Sequence, residues 1–216
     1  STHVTADDIS SIEEIDNVNN VEFKTLFMTK IYIGERRNNA LFVGMEDLEK
    51  AMVDRIEKEE GSFPGSMEVM TDSGNSRYDL YDGGIGDEVT VMDSNGNDVK
   101  LFITGKGRTL TYGHATWGTA VFFTDLETVS LLSNTTGYNS ISLDLEDTSK
   151  TSMEKTTDEV KSYLEENTDF VAFTDIPQTR EEGSWPGDDE FSDIASFFYV
   201  LTFMTLFCSL FLISNT

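Results

Sequence analysis

Few side chains in this sequence stand at spacings that could perform chemistry. The two histidines, His3 and His114, lie far apart, and the chain has one cysteine, Cys208. A zinc site needs a close set of cysteine and histidine ligands, so none is expected. Carboxylate pairs such as Asp7-Asp8 could act as general acid and base, but such pairs arise by chance among 40 acidic residues. The sequence therefore predicts no catalytic residue and no metal site, and we do not expect an enzyme.

Two further stretches resemble ligand-binding loops but depart from them at decisive positions. Residues 93–98, DSNGND, begin like a calcium loop, yet the sixth position is Asp98 instead of glycine and the twelfth is Thr104 instead of glutamate. Asn95-Gly96 indicates a hairpin turn there. Gly105-Lys106-Gly107 lacks the first glycine and the hydroxyl residue of a phosphate loop. We therefore expect no ATP site and no cofactor in this chain.

Asn134 begins the glycosylation sequon Asn134-Thr135-Thr136, on a predicted loop. A glycan at Asn134 is expected only if the host glycosylates proteins that it displays outside the membrane.

The charge of the chain limits its partners. Fifteen Lys and Arg stand against 40 Asp and Glu, for a formal net charge of -25 and a pI near 4.1. Such a charge repels phosphate backbones, so nucleic acid is excluded as a partner. It also opposes docking on anionic lipid by charge. An outer surface in high salt or acid would suit this acidity, and an ordinary acidic ectodomain is equally compatible.

The stretch from Ile194 to Ile213 has the length and polarity of a membrane span. Its twenty residues, IASFFYVLTFMTLFCSLFLI, contain no charge, proline or glycine. At about 1.5 Å per residue such a helix is about 30 Å long, the thickness of a bilayer's hydrocarbon core. The sequence therefore predicts a transmembrane helix within 190–216. Its apolar residues are Ile194, Phe197, Phe198, Val200, Leu201, Phe203, Met204, Leu206, Phe207, Leu210, Phe211, Leu212 and Ile213.

The acidic sequence before this span predicts on which side of the membrane the rest lies. Arg180 is the last basic residue, and six acidic residues follow it before Ile194. Cytoplasmic flanks are usually rich in Lys and Arg, so this flank indicates the outer face. We therefore predict that residues 1–189 are an extracytoplasmic domain at the cell membrane. Because Ser1 follows no targeting segment, we expect an upstream membrane segment in the parent protein.

The chain before the span alternates helical and extended patterns. Thr5 to Asp8 predicts a capped helix that ends near Asn17. The elements predicted after it are a strand from Val18 to Ile33, a turn at Gly34 to Asn39, a strand at Ala40 to Gly44, a helix at Glu46 to Glu60, a strand at Ser66 to Thr71, and loops at Asp72 to Ser76 and Asp82 to Gly86.

The second half predicts a strand-rich region and then a strand, helix, strand series. Its predicted strands are Asp87 to Met92, Val99 to Gly105, Trp117 to Phe123, Tyr138 to Leu145 and Phe170 to Phe173. A short helix capped by Thr124 and a longer one from Ser149 to Asn167 lie between them, and Pro177 to Asp189 is a linker. We predict an α+β fold of two lobes, a β-α-β lobe built from both ends and a β-rich lobe inserted at about 83–135.

Three short motifs occur in an order and spacing typical of one family of membrane proteins. They are Gly86-Asp87-Glu88-Val89-Thr90-Val91, Phe102-Ile103-Thr104-Gly105 and Ile213-Ser214-Asn215-Thr216. The opening from Asp7 to Val21 also looks like that family's first helix and its step into a long strand. The sequence resembles the MacB-like and FtsX-like permeases of ABC transporters, from just after a first membrane helix into the second.

This resemblance implies a two-lobed extracytoplasmic domain between membrane helices one and two of a permease. Such a permease pairs with a second permease copy, identical or different, and works with a separate cytoplasmic ATP-binding subunit. ATP-driven changes on the inside would pass through the helices to the outer domains. The cargo stays open among lipids, lipoproteins, peptides and toxic small molecules.

Two other hypotheses fit an acidic domain on a membrane span. The first is a membrane-anchored ectodomain that binds a ligand or mediates adhesion. The second, an anchored hydrolase, ranks last because the sequence carries no nucleophile-base signature.

Overall fold

The computed structural model describes residues 4–109, 111–112, 118–169 and 194–205. The chain divides into two units, Ser1–Thr179 and Arg180–Thr216. The described part of the first unit has a large sheet and several helices, so the predicted α+β class is confirmed. Its helices are α1 (Ala6–Glu13), α2 (Ser73–Arg77), α3 (Leu126–Ser133) and α4 (Lys150–Asn167). Its strands are β1 (Val18–Ile33), β2 (Arg36–Met45), β3 (Glu57–Gly61), β4 (Glu68–Asp72), β5 (Glu88–Met92), β6 (Asp98–Arg108), β7 (Ala120–Asp125) and β8 (Ser140–Leu145).

Six of these strands form a closed ring. Around the ring the order is β1, β2, β7, β4, β6 and β5, and β5 pairs again with β1. The pairs β2–β7 and β4–β6 are parallel, and the other four are antiparallel. β3 pairs with the later part of β6, and β8 pairs with the first half of β1.

The ring encloses an apolar core to which all six strands contribute. Alternate residues of each strand share a face, so Phe42 lies inside the ring and Val43 lies outside it. The enclosed side chains from the strands are Ile31, Ala40, Phe42, Val69, Val89, Val91, Leu101, Ile103, Ala120 and Phe122. Helix α3 adds Val129 and Leu132 to the same cluster. A second cluster lies on the outer face of β2, β4 and β7, where Leu48 and Ile56 pack.

The 16-residue strand β1 belongs to two layers. From Thr25 onward it pairs with β2 in the ring, and from Val18 to Lys24 it pairs with β8. Helices α1 and α4 cover the β1–β8 layer through Ile12, Val160 and Leu164. The two-lobed division is not confirmed, because the strands between residues 83 and 135 share the ring with β1, β2 and β4.

Several elements were predicted correctly from local sequence signals. Thr5 and Asp8 form the predicted capping box of α1. The long first strand, the strand at Ala40 to Gly44 and the helix after Ser149 are also confirmed. The short helix after β7 is confirmed as α3, but its cap is Asp125 instead of Thr124. Thr124 is buried in β7, where its hydroxyl donates to the Glu68 carbonyl oxygen at 2.7 Å.

The helix predicted from Glu46 to Glu60 is wrong. Residues 46–56 contain no helix, and strand β3 starts at Glu57. The spacing of the apolar residues suggested one buried stripe, yet Met52 is 71% exposed whereas Asp54 is 3% exposed. The physical reason is that polar groups of this segment bind side chains of β1. The loop predicted at Asp72 to Ser76 is also wrong in part, because it holds the five-residue helix α2.

Several expectations concern residues outside the described part. These are His3, His114, the strand at 170–173, the linker at 177–189 and the end of the span from Leu206 onward. Residues 194–205 are helical, and the side chains of Ile194, Phe197, Phe198, Val200, Leu201, Phe203 and Met204 are exposed. Among the described residues, no helix combines the length and the apolar character that a membrane crossing requires.

Candidate functional site

The two described motifs of the permease resemblance lie side by side in the ring. Gly86 precedes β5, and its N–H donates to the Ile103 carbonyl oxygen of β6 at 2.8 Å. The Ile103 N–H returns a bond to the Asp87 carbonyl oxygen at 2.9 Å. The positive φ of 94° at Gly86 favours glycine at the entry to β5. These backbone bonds therefore join the two motifs where the chain enters β5.

The Gly-Lys-Gly stretch also has a packing role. Gly105 and Gly107 lie in β6 between β3 and β4. A Cβ atom at Gly105 would lie 2.3 Å from the Ser62 carbonyl oxygen, and one at Gly107 would lie 2.5 Å from Met70 Sδ. Glycine lets the neighbouring strands approach, so phosphate binding is not needed to explain this stretch.

Residues 93–97 form the predicted hairpin turn between β5 and β6. The Asp93 carboxylate accepts bonds from the backbone N–H groups of Asn95 and Asn97 at 2.9 and 2.7 Å. Bonds from Asn97 and Asn95 lower the pKa of Asp93. In the described part of the chain, no group of three or more His, Cys, Asp or Glu side chains could hold a metal ion.

Asn134, the predicted glycosylation residue, is exposed at the C-terminal end of α3. Its φ of 52° and ψ of 34° are left-handed, a conformation that asparagine tolerates at helix ends. The side chain is accessible, and glycosylation there stays a prediction.

The first half of β1 has one apolar face and one polar face. In its register with β8, Glu22 lies opposite Ser142 and Phe23 lies opposite Ile141. Phe23 and Ile141 join the cluster under α1 and α4. Because side chains alternate along a strand, Glu22, Lys24 and Ser142 lie on the other face.

Residues 46–56 cover that polar face and supply its counter-charge. Lys24 and Asp54 form an ion pair, and they are only 2% and 3% exposed. Lys24 Nζ donates to Ser142 Oγ at 2.6 Å, and Ser142 Oγ donates to Asp54 Oδ2 at 2.7 Å. The three side chains form a hydrogen-bonded triangle inside the protein, which we call the polar junction.

Tyr112 completes the polar junction. Lys24 Nζ lies 5.3 Å from the centroid of the Tyr112 ring, and the Tyr112 hydroxyl donates to Asp54 Oδ2 at 3.4 Å. Burial lowers the pKa of Lys24 to about 8, and the nearby Glu22 carboxylate opposes this shift. Burial raises the pKa of Tyr112, and Glu22 adds to the rise. The polar junction therefore links β1, β8 and the segment 46–56 inside the protein.

Glu22 ties the backbone of the same segment to β1. Its Oε2 accepts the N–H groups of Met52 and Val53 at 3.1 and 3.2 Å. Its Oε1 is buried and has no hydrogen-bond partner among the described residues. These bonds hold residues 52–54 in an irregular conformation, which explains why the predicted helix does not form.

Sequence reasoning missed the polar junction, although one signal was present. Lys24 follows Phe23 in the strand that was predicted from Val18 to Ile33. A charged side chain at a buried position needs a partner of opposite charge. A lysine buried at position 24 therefore indicates a buried acidic residue elsewhere in the chain. The sequence offers 40 acidic residues and does not indicate that Asp54 is the partner.

The described fold is similar to that of the extracellular domains of ABC-type transporters, which confirms the resemblance at the level of fold. The extracellular domain of the noncanonical ABC-type transporter YknZ from Gram-positive bacteria aligns with a TM-score of 0.51 and 14% identity, covering 76% of this chain and 83% of that chain.

Two further structures align over similar shares. The periplasmic region of MacB from Actinobacillus actinomycetemcomitans has a TM-score of 0.47 and 12% identity over 77% of this chain and 75% of that chain. A domain of a permease protein from Porphyromonas gingivalis has a TM-score of 0.44 and 16% identity over 83% and 81%. No protein-family model matches the sequence, and no curated protein matches it.

Proposed function

We propose that residues 1–189 are the extracytoplasmic domain of a MacB/FtsX-type ABC transporter permease and that residues 190–216 begin its second transmembrane helix. The observation that carries this proposal is the fold, which aligns with the YknZ extracellular domain at a TM-score of 0.51. A fold alone does not assign an activity. The second support is the sequence, in which an uncharged stretch of membrane-spanning length follows an acidic flank.

In this proposal the domain couples ATP hydrolysis by a partner subunit to export or handling of a substrate outside the membrane. Coupling between distant sites needs elements that move as rigid units. Strand β1 suits that role, because its 16 residues run through both layers without a break. At about 3.3 Å per residue the strand is about 50 Å long. The division into a β-α-β lobe built from both ends and a β-rich lobe inserted at about 83–135 stays a prediction.

The proposed partners are a cytoplasmic ATP-binding subunit, a second permease copy and the membrane. In this proposal the ATPase activity belongs to the partner subunit, and the sequence of these 216 residues contains no phosphate-loop motif. The rival proposal is a membrane-anchored ectodomain that binds a ligand or mediates adhesion, for which no partner ATPase is needed.

An ATP-dependent change in the outer domain would separate the two proposals. The parent permease and its partner ATPase are reconstituted in nanodiscs, with the native cysteines of the permease, Cys208 among them, replaced by serine and Leu131→Cys carrying a fluorophore. Leu131 is 61% exposed on α3, so a label there should not disturb the core. Fluorescence and ATP hydrolysis are measured with Mg-ATP, and Mg-ADP serves as the control.

We expect permease-dependent ATP hydrolysis together with a fluorescence change that Mg-ADP does not produce. A label that responds to neither nucleotide, in a sample without permease-dependent hydrolysis, would support the anchored ectodomain instead.

A further inference from the structure

Residues 46–56 are anchored near their two ends by apolar side chains. Leu48 and Ile56 are 5% and 4% exposed, and both pack in the cluster on the outer face of β2, β4 and β7. Met52, between them, is 71% exposed and adds no apolar anchor. Segments with few buried apolar contacts open locally at a low cost in free energy. The position of residues 49–54 therefore depends mainly on polar contacts with the rest of the domain.

Glu22 of β1 makes the first of these polar contacts, with the backbone. Its Oε2 accepts the N–H groups of Met52 and Val53 at 3.1 and 3.2 Å. A carboxyl group that has gained a proton still accepts hydrogen bonds through its carbonyl oxygen. Acid therefore weakens these two bonds without removing their acceptor.

Asp54 makes the second contact, and its charge has a different importance. The groups that face it are Lys24 of β1, Ser142 of β8 and Tyr112. Burial lowers the pKa of Lys24 to about 8, because the enclosed ammonium group has lost its hydration, and the nearby Glu22 opposes this shift. If Asp54 gained a proton in acid, Lys24 would stay charged and would lose its counter-charge.

We propose that residues 49–54 are an acid-sensitive latch, which opens when Asp54 is protonated and uncovers the polar face of β1 and β8. In the closed latch the Asp54 carboxylate balances the buried charge of Lys24. Once Asp54 is neutral, Lys24 regains water only if the latch moves away. Leu48 and Ile56 confine this movement to the residues between them. The latch does not depend on the transporter proposal and would operate equally in an anchored ectodomain.

Amide hydrogen exchange of the full chain in nonionic detergent, stepped from about pH 7 to about pH 4, tests the proposal. The N–H groups of Met52 and Val53, the latch amides, report on opening, and their protection is corrected for the intrinsic exchange rate at each pH. We expect this protection to fall about tenfold or more in acid, while the amides of β7 in the ring stay protected. Unchanged protection of the latch amides, or an equal loss in β7, would overturn the proposal.

Four variants identify the group that titrates. Asp54→Asn removes the charge at every pH, so the latch amides should already exchange fast at about pH 7 and respond to acid by less than about twofold. The double variant Asp54→Asn with Lys24→Met removes both charges and should keep the latch closed throughout.

Glu22→Gln keeps an acceptor for the latch amides and should keep their response to acid. Glu60→Gln, on the exposed strand β3, removes a carboxylate far from the polar junction in sequence and should behave like the wild type. A response to acid that survives in Asp54→Asn, or that Glu22→Gln or Glu60→Gln abolishes, would assign the titration to another group and refute the latch.

Discussion

The ring and the polar junction both bury side chains, but the ring does so with apolar residues and the polar junction with charged ones. Inside the ring, Phe42 and Phe122 stack at 5.1 Å between centroids with an angle of 12° between their planes. At the polar junction, Lys24 and Asp54 are nearly as buried, yet both are charged residues. An apolar core accepts other apolar side chains of similar volume. A buried ion pair, by contrast, stabilises the fold only when both charged residues are present.

This difference gives the two regions different failure modes. A truncated side chain in the ring leaves a cavity, and the cost grows with the volume removed. Removal of one member of the polar junction leaves a buried charge, and removal of both can restore much of the loss. Four predictions separate these two kinds of stabilisation, and each is measured as the free energy of unfolding by chemical denaturation of the full chain in nonionic detergent.

Phe122→Ala should give the largest loss, about 3–5 kcal/mol, because it opens a cavity in the ring. Phe122 is fully buried, stacks on Phe42 and makes an edge-to-face contact with Tyr81, with 5.4 Å between the ring centroids. The matched control is Phe102→Ala, since Phe102 lies on β6 and is 50% exposed. We expect that control to cost less than about 1 kcal/mol. Similar losses for both variants would contradict the assignment of inner and outer faces.

Lys24→Met should cost about 3 kcal/mol, because it leaves Asp54 charged and unpaired in the interior. The double variant Lys24→Met with Asp54→Asn should recover much of this loss, as the amide is neutral and still accepts the Ser142 hydroxyl. Lys30→Met changes an exposed lysine of the same strand and should lie within about 0.5 kcal/mol of the wild type. Losses that simply add in the double variant would show that the two residues are not coupled.

Gly44→Ala should cost about 1–3 kcal/mol by overpacking the contact between β2 and α3. A Cβ atom there would lie 2.0 Å from Val129 Cγ1, and Val129 is fully buried. Adding Val129→Ala to Gly44→Ala should relieve part of the clash. Gly65→Ala is the control, because its nearest neighbour would be Glu68 Oε2 at 3.4 Å. If Gly44→Ala did not lower the free energy of unfolding, α3 would have to lie farther from β2 than described.

Thr5→Ala should have the smallest effect, about 1 kcal/mol, through loss of the α1 cap. The Thr5 hydroxyl donates to Asp8 Oδ2 at 2.7 Å and the Thr5 N–H donates to the same atom at 2.8 Å, and these bonds, the hydroxyl bond first, lower the pKa of Asp8 below 3.8. A carboxyl group with a lowered folded-state pKa stabilises above its unfolded pKa and loses that contribution as the pH falls through the folded value. The difference between wild type and Thr5→Ala should therefore shrink between pH 7 and pH 3. Ser10→Ala in the same helix should show no such pH dependence.

The sequence allowed prediction of elements whose signals are local. The capping box at Thr5 and Asp8 and the Asn-Gly turn after β5 depend on neighbouring residues, and both were predicted correctly. The segment after β2 was predicted wrongly because its conformation depends on distant partners. Asp54 binds Lys24 and Ser142, which lie in two other strands, and a single sequence does not indicate such pairs.

The candidate site was harder to predict than the fold for the same reason. The strand from Val18 to Ile33 was predicted, but the bonds that Glu22 accepts from the Met52 and Val53 N–H groups join it to a segment about 30 residues away in the chain. The packing role of the glycines in the Gly-Lys-Gly stretch depends on the positions of Ser62 and Met70, which lie in other segments of the chain. The closed ring depends on pairing between β5 and β1, which are far apart in the chain.

The side of the membrane that the domain occupies is the most direct test of its proposed role. The native cysteines of the parent protein, Cys208 among them, are replaced by serine. Thr136→Cys then places a thiol at an exposed position beside Asn134, and a second variant places one just after Thr216. Intact cells are treated with an impermeant thiol reagent, and permeabilised cells serve as the control. The account predicts that the first thiol reacts in intact cells and that the second reacts only after permeabilisation. Protection of the first thiol in intact cells would place the domain inside and contradict the extracytoplasmic role.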